Sequence, residues 1–417
     1  MKKIFCLSLG ILLCNFLLHG AGSYDLSMVG HVRFADGFGR QSIGTIDCLK
    51  DLVSINYLGD SLGTIDPRNM SGLENVDPVV SKIIFNKDRT PGNVIIYEPL
   101  LSAGDAYKRL SEKSIRIAYS MTSCSRIQSR WASVLNNYFD AVAVPSEFLV
   151  DAYKKSGVKK PVFHLPLGVY LDNFFDYSVI KKGNASKRLF VFGSTESFHV
   201  RKNQGLLIKA FVEEFGGNPN VVLRLNSRKC GEGSAFKQLK NLVEKIQAKN
   251  IEITERTLSW QEYTHFMGSL DCCVNISQGE GYSIIPREAM ALGIPCILSD
   301  NAAQSELCKM NFVRSVPANQ EVAAQTEWYT GYLYNCDIVD LKKALRDMYD
   351  NYATWSERAQ KNRAWVKQFT WQDLQKKYLN LVKPTKIVLG TKNEITDDCL
   401  ETNSPILYKK YCAILKT

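Results

Sequence analysis

The chain of 417 residues contains no Cys-x-x-Cys pair, no Asp-x-Asp and only 5 histidines. Each absence removes a chemistry. Without Cys-x-x-Cys, the 12 cysteines do not read as a metal cluster. Without Asp-x-Asp, a metal-chelated phosphate group has no support, and no metal cofactor is expected. Zinc-finger spacing, an aromatic RNA-binding signature and a long basic arm are also missing, so nucleic acid is not an expected partner. Beyond the first 23 residues no apolar run is long enough to span a membrane. Low-complexity tracts and short-period repeats are absent too.

What is present points to a globular protein with real cores. Hydrophobic residues make up 45% and charged residues 23%. The length suits two domains rather than one. Cys272, Cys273 and Cys296 fall in apolar runs and read as buried, reduced thiols. Disulfides elsewhere stay open. The net charge of +10 suits an acidic partner such as a nucleotide, an anionic glycan or phospholipid heads, the last allowing peripheral membrane association. A solvated basic surface is the plain alternative. The opening "MKKIFCLSLGILLCNFLLHGAGS" has two lysines, an apolar run and small residues. That is the layout of a signal peptide or N-terminal anchor over 1–23, implying export or membrane anchoring. A start at Met28, implying the cytoplasm, is the other reading. Three sequons stand at Asn69, Asn184 and Asn275; the last lies in an apolar run expected to be buried.

Along the body, short apolar runs alternate with helical periodicity. Strands are expected in 26–34, 93–99 and 114–121, within 138–148 (strand, turn and helix start) and in 160–168. After a polar stretch at 177–187 they recur in 188–194, 220–227, 250–256, 271–277 and 295–300. Ser146 and Ser259 read as helix N-caps, with Glu262 completing a capping box. Alternating β and α predicts α/β architecture: two Rossmann-like parallel-sheet domains facing a cleft. The expected division is a first domain over 24–180 and a second over 188–370. A helix over 371–383 packs back on the first domain, and a tail occupies 384–417.

The stretch "GEGYSIIPREAMALGIP" (279–295) places two glutamates eight positions apart, one in a glycine loop and one inside a helix. Pro286 fits a first turn and Gly293 a helix end. The amides of Gly281, Tyr282 and Ser283 then lie at a helix N-terminus, which attracts phosphate. Glu288 is placed to accept from ribose hydroxyls, and Glu280 from hydroxyls of a sugar on the same diphosphate. Basic partners come from "GSTESFHVRKNQG", where Arg201 and Lys202 precede a helix and can stabilise charge on a leaving diphosphate. In the first half, "FADGFGR" makes a glycine loop. Gly37 and Gly39 there either approach a ligand or simply form a tight turn.

At these residues the chain resembles the family-4 (group 1) retaining glycosyltransferases, whose fold is called GT-B. Glu280 and Glu288 match the family's Glu-x7-Glu pair, "EAMALGIPCILSD" its following run, and "FGSTESFHVRKN" its basic donor loop. "DAVAVPSEF" with "SGV", "LPLGV" and "FADGFGR" resemble strand ends of its first domain. The resemblance covers roughly 28–383. It implies retaining transfer of a sugar from a nucleotide-sugar donor to an acceptor hydroxyl on a glycan or lipid-linked molecule. Glu288 would hold ribose, Glu280 the sugar, and Arg201 and Lys202 the diphosphate. Two departures stand out. Ser194 occupies a position where many members have arginine. The stretch 117–131 has no histidine where many have one, leaving Tyr119, Ser120 and Thr122 as candidate lining. His199 is either a donor contact or a plain loop residue. The rivals are a nucleotide-sugar epimerase of the same fold and an inactive glycan-binding module, which the leader motivates.

Overall fold

The structure is a computed structural model that describes residues 24–383, apart from 35, 60–61, 63–71, 99–104, 178–188, 230–233 and 327–328. The leader, most of the expected linker, the tail and the sequons at Asn69 and Asn184 lie outside the described residues. Fourteen strands are described. β1 (Leu26–Val29), β2 (Ile55–Tyr57), β3 (Val94–Tyr97), β4 (Ile115–Tyr119), β5 (Ala141–Val144) and β6 (Val162–His164) form a sheet in the order β2-β1-β3-β4-β5-β6. β7 (Phe190–Ser194), β8 (Val221–Ser227), β9 (Ile251–Glu255), β10 (Cys272–Asn275), β11 (Cys296–Asp300) and β12 (Arg314–Pro317) form a second, in the order β12-β11-β10-β7-β8-β9. Helices fill the connections. Parallel sheets covered on both faces need strands that are apolar throughout. Accordingly β1, β3, β5 and β10 are buried along their whole length.

The chain divides into two compact units. One takes the described residues up to Tyr119, Leu135–Val142 and the segment from Gln375; the other takes Ser120–Val134 and Ala143–Leu374. In the first unit the helix Gly37–Leu49 follows β1 and is capped by Asp36, whose carboxylate accepts from the Gly39 amide at 2.8 Å. The helix Trp371–Val382 contributes its later half, where Gln375 Nε2 donates to the Cys48 carbonyl at 2.7 Å. Lys383 pairs with Asp25 at 3.1 Å.

The second unit is built on an aromatic-rich core. Phe192, Phe211 and Phe215 pack with Leu223, Val274, Ile297, Leu341 and Leu345 between the second sheet and its helices. Truncating one such phenylalanine to alanine costs about 3–5 kcal/mol. The expected capping box forms: Ser259 Oγ accepts from the Glu262 amide and Glu262 Oε2 from the Ser259 amide. Ser146 does stand at its N-cap, but its buried hydroxyl makes no capping bond.

One element has no counterpart in the sequence reading. β13 (Gln320–Gln325) and β14 (Thr330–Asn335) form an antiparallel hairpin after β12. It explains why Ser120–Val134 joins this unit. The Ser125 amide donates to the Tyr332 carbonyl at 3.0 Å, the Tyr332 amide to Ser125 Oγ at 2.9 Å, and Gln128 Nε2 to the Thr326 carbonyl at 3.0 Å. Cys124, Ala324 and Leu333 pack together beneath. Among the described residues no helix is long and apolar enough to cross a membrane.

Candidate functional site

The carboxyl ends of β7 and β10 are neighbours in the second sheet, and ligands in open α/β sheets bind beyond such ends. After β7 the chain runs through residues 195–199 into a single 3-10 turn, Val200–Lys202. Asn203 follows in the left-handed region at φ 62° and starts the helix Gln204–Phe215. This turn aims Arg201 and Lys202 at the loop after β10. Arg201 Nη1 donates to Ser277 Oγ at 3.2 Å, to the Gly279 carbonyl, and to Glu280 Oε1 at 3.0 Å. Lys202 Nζ donates to the same Glu280 oxygen at 2.5 Å and to Glu196 Oε1 at 2.7 Å. The four side chains are nearly withdrawn from solvent.

The loop itself is held closely. A β-carbon on Gly279 would fall 2.1 Å from the Ser123 carbonyl oxygen, so only glycine fits there. Ser283 then takes φ 67° as the N-cap of the helix Ile284–Ala291, with no side-chain cap. A non-glycine residue in that region is strained by about 1 kcal/mol or more. Arg287 compensates from inside the helix. Its guanidinium donates back to the carbonyls of Tyr282 and Ser283 and lies 3.7 Å from the Tyr282 ring centre and 4.9 Å from that of Phe369. The helix closes in a Schellman motif: the Ile294 amide donates to the Ala289 carbonyl, and the amide of Gly293, at φ 70°, to that of Met290.

Glu288 follows Arg287 and is fully buried. Its Oε2 accepts from the Tyr263 hydroxyl at 2.6 Å, and Thr195 donates to that same hydroxyl at 3.3 Å. Phe174 meets the Tyr263 ring edge-on and fixes its position. The two glutamates thus occupy different settings on one loop–helix unit, Glu280 with two cations and Glu288 with a phenol.

Charge explains the protonation states. Burial alone would raise the Glu280 pKa, but Lys202 and then Arg201 reverse this and hold it at about 2. Glu196 moves the other way: burial raises it, Lys202 only partly opposes, and Glu280 adds to the rise. Burial works against the Arg201 charge, yet Glu280 and Tyr329 leave its pKa raised. His199, whose Nδ1 accepts from the Arg201 amide at 3.1 Å, is lowered by desolvation and by the adjacent Arg201 and Lys202. Arg201 Nε, Ser194 Oγ and Ser283 Oγ are buried without a hydrogen-bond partner.

Of the residues singled out in the sequence, Arg201, Lys202, Glu280, Gly281, Ser283 and Glu288 therefore belong to one local assembly. Tyr282 contributes its backbone there, while its ring is buried under Arg287. Gly37 and Gly39 belong to the other unit. The Gly39 amide is taken by Asp36, and a β-carbon on it would fall 1.9 Å from the Arg33 carbonyl oxygen. Sequence reasoning missed Glu196, Tyr263 and Arg287. Glu196 carried a signal, being an acid inside the loop that precedes the basic pair. Tyr263 carried none, since its partner lies 25 residues away.

Comparison with known proteins bears on the fold. The fold is an α/β one of the GT-B class, and residues 178–368 match the family model described as "Glycosyl transferases group 1". Among relatives, "Putative glycosyltransferase EpsF" of Bacillus subtilis (strain 168) is 26% identical over 185 residues. That alignment takes in 42% of this chain and 46% of that protein, so the match spans about half the length of the relative. Among solved structures, Anabaena Alr3699/HepE in complex with UDP and glucose aligns with a TM-score of 0.61 at 13% identity, covering 86% of this chain and 99% of that one. The α,α-trehalose 6-phosphate synthase of Burkholderia multivorans aligns at 0.60 and 13%, covering 86% and 98%. At such identities the likeness is one of fold: two Rossmann-like parallel-sheet domains.

Proposed function

We propose that the chain is a glycosyltransferase that moves a sugar, a hexose or close relative, from a nucleoside-diphosphate sugar to an acceptor hydroxyl with retention, in glycan or glycolipid synthesis. The observation that carries this reading is the convergence of Arg201 and Lys202 on Glu280 at the ends of β7 and β10, inside the stretch similar to group 1 glycosyl transferases. HepE, of the same fold, is described in complex with UDP-glucose, which favours a nucleotide-sugar donor.

In this reading the diphosphate takes Arg201 and Lys202 as counter-ions, with Arg201 Nε and the Ser283 and Ser194 hydroxyls as further donors. Charge building on the leaving phosphate is met by cations already in place. Glu288 accepts from ribose hydroxyls with Tyr263 fixing its orientation, and Glu280 accepts from the sugar. Its low pKa keeps Glu280 an acceptor across the neutral range. The leaving phosphate takes the acceptor's proton, so neither a separate base nor a metal is required.

The test is calorimetric titration with UDP, GDP, ADP and CDP without metal, comparing the protein with Glu288→Ala. Binding of one diphosphate that is lost in the variant, at an unchanged Tm, supports the reading. Failure of all four to bind the unaltered protein overturns it.

A further inference from the structure

The basic pair is not held ready as free charge. Two cations, Arg201 and Lys202, and two carboxylates, Glu196 and Glu280, lie within ion-pair distance, so the cluster is neutral as it stands. Glu280 faces both cations. Among the described residues Glu196 meets Lys202 alone at that distance, and its side chain is 2% exposed. A diphosphate that draws Lys202 towards itself therefore leaves Glu196 a buried carboxylate beside new negative charge. Such a group is too costly to keep ionised and neutralises instead.

We infer that Glu196 is a positioning residue that holds Lys202 between turnovers and takes a proton from solvent when an anionic donor engages that lysine. The inference rests on the donor-binding reading above. On release of the diphosphate the proton returns to solvent and Lys202 to Glu196, so the cycle balances.

The groups around Glu196 are consistent with this. On its own loop stand His199, Arg201 and Lys202. The loop after β10 brings Glu280, which already disfavours a second carboxylate charge. From β10 beneath comes Cys273, whose thiol is held high by its hydrogen bond with Cys296, by burial and then by Glu196 and Glu288, so it stays neutral. The helix Trp260–Gly268 brings Tyr263, which is engaged with Glu288. Of these groups Glu196 is the acid whose pKa already stands above the ordinary carboxylate range, and the one that loses its counter-ion.

The experiment is calorimetry with UDP-glucose, ADP-glucose and GDP-mannose, donors with no group of their own titrating near neutrality. Each is measured near pH 7 in two buffers of different ionisation enthalpy, for the full chain and for Glu196→Gln. The expected result is uptake approaching about one proton per donor bound, with affinity falling up to about tenfold per pH unit as pH rises through that range. Glu196→Gln binds with the uptake abolished and the pH slope flattened, whereas a structural role would lower affinity and leave the pH slope in place. Binding without proton exchange in the unaltered protein overturns the inference and leaves the donor reading standing, with no need of the variant. Uptake that persists in Glu196→Gln overturns it as well. Binding of none of the three donors, with none of the four diphosphates above, removes both.

Discussion

At the scale of single residues, the site is decided by which carboxylate meets which donor. Glu280 has a pKa depressed from 4.5 to about 2 by Lys202 and Arg201, after burial has worked against them. A depressed acid contributes stability that is present above its unfolded pKa and lost as pH falls through the folded one. Glu280→Gln should therefore flatten the loss of stability between about pH 4.5 and 2, read as denaturation midpoints across that window. Glu288 depends on a phenol instead. Tyr263→Phe removes the hydroxyl that orients Glu288, and nucleotide affinity should fall roughly tenfold by titration calorimetry. The basic pair and both glutamates were legible because they sit in short local motifs. Tyr263 was not, because its contact with Glu288 exists only after two helices pack on one sheet.

At the scale of elements, the strands announced themselves where both faces are buried. "DCCVNIS" and "PCILSD" became β10 and β11, paired with Cys273 opposite Cys296. The hairpin β13–β14 stayed hidden. Its strands, QEVAAQ and TGYLYN, mix polar and apolar residues without a clean alternation and follow no turn signal that sequence reasoning weighed, and Ser125, Gln278 and Asn335 bond across long separations there. Arg287 was equally silent, since an arginine in "PREAMA" reads as a surface residue until Tyr282 and Phe369 close over it. Arg287→Met keeps the apolar volume but strips partners from two buried carbonyls beside a strained Ser283. We expect a loss of about 3 kcal/mol in chemical denaturation. Gly279→Ala should lower Tm by several degrees, since its β-carbon has no room against Ser123.

At the scale of the whole molecule, the cysteine reading can be checked directly. Cys48, Cys124, Cys272, Cys273, Cys296, Cys308 and Cys336 are all free and buried. Burial pushes the thiols of Cys48 and Cys308 well up, which leaves little thiolate to react. In the native protein these seven should resist a disulfide reagent and all react after denaturant, counted by thiol titration.

The neutrality of the Arg201–Lys202–Glu196–Glu280 cluster also governs how a ligand arrives. Long-range attraction depends on net charge, and two opposed pairs cancel beyond a Debye length of about 8 Å. An anion approaching β7 is then not steered by the site itself, and what long-range attraction there is comes from the chain's net charge of +10. Selection takes place at contact, when the ligand has displaced carboxylates from cations they already hold, and ions too weakly charged to do so leave again quickly.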